Sequence, residues 1–220
     1  MLKSSKNKIL VLAAHPDDET LGCGATISKL SREGNDIHLI TFTDGVGSRL
    51  DGSPNRNSKL EKVSEILGIK KINYGNFPDN KMDSVSVLDI AKFIESNVDY
   101  EPDVIFTHFI GDLNIDHVIV TKAALIAFRP QYGNKIKIYS YYVPSSTDYN
   151  PTIIYDGNTY VDISQRDVDN KIAALKIYDE EMRTYPHSRS YENIENLMKV
   201  WGSEVGVVYS EKFKMIREII

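Results

Sequence analysis

The 220-residue sequence lacks most of the features that mark secreted and membrane-spanning proteins. Cys23 is its only cysteine, which excludes a disulfide within the chain and is compatible with a reducing compartment. No apolar run approaches the ~18 residues that indicate a membrane span. The run over residues 9–14 is also too short for the ~7–15-residue apolar region of a secretory signal. We therefore predict a cytoplasmic protein without a membrane span.

Runs of lysine and arginine are absent as well. The 26 basic and 31 acidic residues give a formal charge of −5, spread along the chain. A nucleic-acid partner would require a concentrated basic surface, so we predict a small-molecule partner instead. The hydrophobic content of 41% is sufficient for a buried core, and the length fits one domain or one domain with an appended lobe.

Apolar runs alternate with amphipathic segments through the first two thirds of the chain. Strands are predicted over residues 8–13, 36–43, 70–74, 103–107 and 136–143, and helices over residues 25–33, 58–67, 88–98 and 117–128. This alternation predicts an α/β fold with a mostly parallel sheet flanked by helices. After residue 143 the pattern changes to a strand at 159–162, helices at 168–181 and 191–199, and a mixed tail. We predict a single domain with a core (1–143) and a C-terminal α+β lobe (144–220) packed on the sheet.

Two charged segments follow strands of the predicted sheet. AHPDDET (14–20) ends the first strand, and HFIGDLNIDH (108–117) ends the strand at 103–107. The carboxyl ends of parallel strands meet at one edge of a sheet, so the two segments are expected to share a crevice. His15 and Asp18 offer a nitrogen and an oxygen ligand, and zinc accepts such mixed sets. The second segment could complete the site with His108, Asp112, Asp116 or His117.

Each segment also has a purely structural interpretation. Asp17 and Asp18 could satisfy the first amides of a helix, and Asp116-His117 is typical of a helix start. His108 alone is more typical of a supporting position than of a ligand. The occurrence of both segments at neighbouring strand ends favours a metal site over two unrelated caps.

VLAAHPDDETLGCGATISKL resembles the opening of the PIG-L/LmbE-type family of zinc-dependent N-acetyl-sugar deacetylases, and DLNIDH resembles the family's downstream metal-ligand segment. Weaker similarity continues through TFTDG, ILGI, FPDNKMD, VPSSTD, YPHSRS and WGSEVGVVYSEKF. The resemblance implies a Rossmann-like fold, with His15, Asp18 and His117 as zinc ligands and Asp17 as the general base. The implied reaction releases acetate from a GlcNAc-type sugar or from its nucleotide-linked form. A His₂Asp set also suits other divalent transition metals.

Asn114 departs from the family pattern. Many relatives carry a histidine at this position, three residues before the last ligand, where it assists the oxyanion. Asparagine can donate an uncharged hydrogen bond but supplies no proton. Candidate oxyanion contacts are therefore Asn114, His108 and Arg129. Asp44 is a candidate contact for a sugar hydroxyl, and Arg189 for a phosphate or carboxylate.

Several alternatives remain open at this level. The protein could be a zinc hydrolase of another acyl amide or of a sugar ester, or a metal-dependent sugar-binding module without turnover. The loop at 44–57, which contains Arg49 and Arg56, is either a substrate lid or an ordinary surface loop. The tyrosine-rich segment at 132–160 could serve a sugar site or the interface of a homo-oligomer.

Overall fold

The computed structural model describes residues 6–45, 47, 56–131 and 133–219. Five strands run parallel: β1 (Lys8–Ala13), β2 (Asp36–Thr41), β3 (Lys71–Tyr74), β4 (Val104–His108) and β5 (Lys137–Tyr141). Two antiparallel strands, β6 (Thr159–Ile163) and β7 (Tyr209–Arg217), extend the same sheet. The strand order is β3-β2-β1-β4-β5-β7-β6, which has the Rossmann order in its parallel part. The predicted α/β fold is confirmed.

In the described part of the chain, six α-helices accompany the sheet: α1 (Asp18–Arg32), α2 (Asn57–Leu67), α3 (Val87–Asn97), α4 (Ile115–Ala127), α5 (Gln165–Ile177) and α6 (Tyr191–Val205). The central strand β1 is buried on both faces because its apolar run is nearly continuous. Ile9, Val11 and Ala13 face the core formed with α1, α2, α5 and α6, whereas Leu10 and Leu12 face α3 and α4. Helices on both faces therefore bury the sheet and leave its carboxyl edge free for a site.

The predicted bounds are accurate for β1 and approximate elsewhere. The first helix is the main difference, because it begins at Asp18 and not at residue 25. The predicted C-terminal lobe supplies α5 and α6, and its mixed tail forms β7 between β5 and β6. The proposed domain limits stay a prediction. Most of the possible lid, residues 46 and 48–55, lies outside the described residues. None of the described helices combines the length and apolar character that a membrane span requires.

A buried ion pair supports a break in α1. The backbone of Cys23 leaves the helical conformation (φ −144°, ψ 23°), which frees a carbonyl before the break and amides after it. Lys171 Nζ donates to the Leu21 carbonyl at 2.8 Å, and the Glu211 carboxylate accepts from the backbone N–H groups of Ala25 (3.2 Å) and Thr26 (2.7 Å). The two side chains pair at 2.6 Å. One ion pair on α5 and β7 thus satisfies both sides of the break.

We expect Lys171→Met to lower the free energy of unfolding by about 3 kcal/mol, because it leaves the Glu211 carboxylate buried without its cation. Urea denaturation would measure the loss. Lys199→Met is the matched control, since Lys199 is exposed and its ion pair is with Glu195 on the same helix. Equal stability of the two variants would contradict this account of the helix break.

Candidate metal centre

The site lies at the carboxyl edge of the sheet, where β1 and β4 end side by side. The turn after β1 carries His15 and leads into Asp18, the first residue of α1. The loop after β4 leads into α4, which carries His117 in its first turn. All three side chains are buried. The topology therefore brings together residues about 100 positions apart, as the strand-end argument predicted.

His15, Asp18 and His117 form one group, with ligand atoms within 4.8 Å of one another. Asp18 Oδ2 lies 3.1 Å from His15 Nδ1 and 3.2 Å from His117 Nε2. The carboxylate thus sits between the two imidazoles, and one nitrogen of each ring points toward a common centre.

Carboxylates hold the other nitrogen of each imidazole. His15 Nε2 lies 3.1 Å from Asp116 Oδ2 and 3.3 Å from Asp79 Oδ1, and His117 Nδ1 lies 3.1 Å from Asp112 Oδ2. Carboxylates in this outer position fix the orientation of metal-ligating histidines and raise their basicity. His15, Asp79 and Asp116 also form a second group that could hold a cation. We assign Asp116 and Asp79 to orienting His15, because Asp116 already accepts the backbone N–H groups of Asn80 and Met82.

The donor set fits a divalent cation. Asp18 Oδ1 and His117 Nε2 are buried and have no hydrogen-bond partner among the described residues. Burial lowers the pKa of His15, but hydrogen bonds with Asp116 and Asp18 raise it to about 10 overall. Burial likewise lowers the pKa of His117, and the charge of Asp18 and the hydrogen bond with Asp112 raise it to about 9. A centre that attracts protons this strongly has the negative potential that a metal ion requires.

Asp17 lies beside this group in a strained conformation. Its φ of 129° is one that residues with a side chain rarely adopt, and such strain clusters at functional sites. Its backbone N–H donates to Glu19 Oε2 at 3.1 Å, and its Oδ2 lies 3.3 Å from both Arg56 Nη1 and Arg189 Nη1. Burial raises the pKa of Asp17, Arg189 opposes that effect, and the resulting pKa is about 6.

Two charged residues at the site have no role in the sequence-based prediction. Arg56, known only as part of a possible lid, is buried and donates to the Pro16 carbonyl at 3.1 Å and to the Gly45 carbonyl. Glu181 follows α5 and pairs with Arg56 at 3.2 Å. No local motif marks either residue, because the fold alone brings Arg56 to Asp17 and Glu181 to Arg56. They line a polar cavity of about 140 Å³ together with His15, Asp17, Gly45, Asp79, Asn80, Asn114 and Arg189.

The five predicted oxyanion or substrate contacts lie at different distances from the cavity. Asn114 and Arg189 line the cavity. Asn114 caps α4 by accepting from the Asp116 N–H at 2.9 Å, and its Nδ2 donates to Asn80 Oδ1 at 3.1 Å. Arg189 Nε donates to Ser145 Oγ at 2.7 Å. The contact between Asp44 and a sugar stays a prediction; its Oδ1 accepts from the Gly47 N–H at 3.1 Å.

His108 and Arg129 are not brought to the cavity. His108 is fully buried behind the site, and its Nε2 accepts from the Ala14 N–H at 2.9 Å. Burial and the neighbouring His117 hold the pKa of His108 well below its usual value. The position of Arg129 is even further from its predicted role. It follows the 13-residue α4, about 20 Å beyond the start of that helix, and lies on the surface beside Glu95.

The fold and the site define an α/β protein with a candidate mononuclear metal centre at the carboxyl edge of its sheet. The model of the family described as PIG-L, GlcNAc-PI de-N-acetylase, matches residues 10–128. The chain therefore belongs to the PIG-L family, which confirms the resemblance found in the sequence. The matched segment contains all three grouped ligands and Asp17.

Known proteins of similar sequence and structure agree with this assignment. The deacetylase YaiS of Escherichia coli is 34% identical over 138 residues, which cover 58% of this chain and 73% of YaiS. Diacetylchitobiose deacetylase of Thermococcus kodakarensis is 35% identical over 82 residues, or 34% of this chain and 31% of that protein. The crystal structure of the conserved protein TT1542 of Thermus thermophilus has a TM-score of 0.76 at 23% identity, covering 97% of this chain and 96% of TT1542. At that identity the structural match shows the fold alone.

The strain at Asp17 predicts an unusual order of stability. Glycine adopts a φ of 129° much more readily than alanine does, because it has no Cβ. We expect Asp17→Gly to be more stable than Asp17→Ala by about 1 kcal/mol, although alanine is normally favoured through the unfolded chain. Both variants lose the carboxylate, so their difference in urea denaturation isolates the backbone. An alanine variant as stable as the glycine variant would show that the backbone relaxes there.

Proposed function

We propose that the protein is a zinc-dependent N-deacetylase that hydrolyses the acetamide of an N-acetylated amino sugar or sugar conjugate. The proposal depends above all on one observation: a buried His₂Asp group lies next to a strained aspartate in a small polar cavity. The family, and the likeness to a named diacetylchitobiose deacetylase, support the substrate class. A cytoplasmic location, a possible homo-oligomer and the absence of a nucleic-acid partner stay predictions.

His15 Nδ1, Asp18 and His117 Nε2 would hold the metal. Zinc in such a site lowers the pKa of water to near 7 and polarises a carbonyl oxygen. The orienting carboxylates of Asp116 and Asp112 fix which nitrogen of each imidazole faces the ion. The nitrogen and oxygen donors also suit cobalt, nickel or iron. The choice of zinc as the metal bound in the cell is therefore part of the proposal.

Asp17 would act as base and then as acid. With a pKa raised to about 6 by burial, it is ionised at neutral pH yet holds a proton more readily than a surface aspartate. It can accept a proton from the attacking water and deliver it to the amide nitrogen, which leaves only as the protonated amine. Arg56 and Arg189 fix its orientation through Oδ2. A pure binding module has no use for a strained base, so Asp17 favours turnover over binding alone.

Asn114 is our candidate donor to the oxyanion. It lines the cavity with His15 and Asp17, and its amide is fixed by two contacts, with the Asp116 N–H and with Asn80. An amide N–H aimed at the developing charge stabilises it without transferring a proton. This role differs from that of a histidine, and it leaves all proton transfer to Asp17.

Removal of the base should abolish turnover without removing the metal. We expect Asp17→Asn to lower kcat for acetate release from N-acetylglucosamine conjugates by at least about 100-fold, since it cannot take up the proton. Zinc content measured by mass spectrometry should be retained, and chelation of wild type should abolish activity until zinc is restored. Asp89→Asn, on the exposed face of α3, is the isosteric control. Full activity after complete metal removal would refute the proposal.

A second substitution compares Asn114 with Arg129, the two predicted oxyanion contacts that flank α4. Asn114→Ser keeps a residue that caps helices well but removes the longer amide donor, so we expect kcat to fall about 100-fold with little change in KM. Arg129→Gln should leave both constants unchanged because Arg129 lies on the far end of the helix. Steady-state kinetics of the two variants provide the comparison. An unchanged kcat in Asn114→Ser would assign the oxyanion to another group.

A further inference from the structure

His108, the last residue of β4, makes contacts that the proposed chemistry does not use. Its side chain is buried, and its imidazole stacks on that of the ligand His117, with ring centroids 3.9 Å apart and planes inclined by 19°. Its Nε2 accepts from the Ala14 N–H at 2.9 Å, one position before the ligand His15. Nε2 also lies 3.6 Å from Asp18 Oδ2, beyond hydrogen-bonding distance. One imidazole thus meets the surroundings of all three grouped ligands.

The hydrogen bonding of His108 excludes it as a fourth ligand. A histidine nitrogen binds a metal through its lone pair, and at Nε2 the Ala14 N–H occupies that lone pair. In the neutral ring the proton is therefore assigned to Nδ1, which is buried and has no hydrogen-bond partner among the described residues. An unpaired buried N–H lowers stability, so packing alone would favour an apolar ring at this position. The acceptor Nε2 is the feature that requires a histidine.

His108 is itself held by neighbouring elements. Thr121 Oγ1 on α4 donates to the His108 carbonyl at 2.8 Å, and His108 lies opposite Tyr141 where β4 pairs with β5. The Tyr141 hydroxyl donates to the Leu12 carbonyl on β1 at 2.7 Å and lies 3.1 Å from His108 Nε2. His108 therefore connects the end of β1 to α4, and the segments at these two places carry the ligands.

We infer that His108 is a positioning residue for the metal centre. It fixes the plane of the His117 ring by stacking, and it fixes the backbone that leads to His15 by accepting the Ala14 N–H. Asp112 holds only the Nδ1 edge of the His117 ring, so a contact on the face of the ring adds a restraint that the carboxylate does not supply. The inference rests on the proposed function and adds a residue on which metal affinity depends.

Two substitutions at His108 separate the two contacts. His108→Phe keeps a ring for stacking and removes the acceptor, whereas His108→Gln keeps an acceptor and removes the ring. We expect each variant to raise the Kd for zinc by at least about fivefold, because residues that orient metal ligands are typically worth about 10–100-fold in affinity. Competition between the zinc-free protein and a chromophoric chelator measures this Kd without turnover, and circular dichroism verifies that each variant is folded.

His38→Gln is the matched control. His38 is also a buried histidine within a parallel strand, and its ring nitrogens lie 2.8 Å from the Tyr100 hydroxyl and 2.7 Å from Asn73 Oδ1. It lies in the first half of β2, away from the carboxyl edge, so the zinc Kd should stay at the wild-type value. The visible absorption of the cobalt-loaded protein reports ligand geometry, and it should change in both His108 variants but not in the control.

An unchanged zinc Kd and cobalt spectrum in folded His108→Phe and His108→Gln would overturn the inference and leave His108 as a packing residue. A Kd raised as much by His38→Gln would also overturn it, because affinity would then follow general stability. Failure of the proposed function is distinguishable. In that case the wild-type protein binds zinc and releases no acetate from any N-acetylated sugar, whereas the zinc Kd still depends on His108.

Discussion

The burial of successive carboxylates at the end of β1 is the constraint on which the site depends. Asp17, Asp18 and Glu19 are all almost completely removed from water, and isolated charges in that position would be strongly unfavourable. Each has a different compensation: imidazoles around Asp18, guanidinium groups around Asp17, and hydrogen bonds from Thr20 and Tyr178 to Glu19. Much of the surrounding structure provides these partners. The proposed metal ion would be a further partner, for Asp18.

The partners of these carboxylates differ in how visible they are in the sequence. The strand β1 and the crevice follow from local patterns, because a continuous apolar run and a charged strand end are visible within a few residues. The same patterns point to His15 and Asp18, whereas the choice of His117 among four candidates depends on the family resemblance. Arg56 and Glu181 have no such pattern, since Arg56 meets Asp17 only in the folded chain and Glu181 in turn meets Arg56. Asp17 itself shows the limit most clearly. Family resemblance separates it from Asp18, whereas its strained backbone becomes visible only in three dimensions.

The predicted start of α1 was wrong for a related reason. Gly22, Cys23 and Gly24 are poor helix formers, and they suggest that the helix begins after them. In the structure the helix begins at Asp18 and is interrupted at Cys23, and Lys171 and Glu211 supply the missing hydrogen bonds. Gly22 is needed because a Cβ there would lie 2.1 Å from the ring of Tyr141. Tertiary contacts thus override local propensity in the turn that carries Asp18.

The same contact has a consequence for the order of events during synthesis on the ribosome. Glu211 accepts from the Ala25 N–H across 186 positions of the chain, and it lies on β7. At ~5–20 residues per second, the helix that begins at Asp18 leaves the ribosome about 10–40 s before this carboxylate. The nascent chain therefore carries the start of α1, with Asp18, without this support until β7 has been made. The candidate metal centre is consequently expected to acquire its final shape only after synthesis of β7.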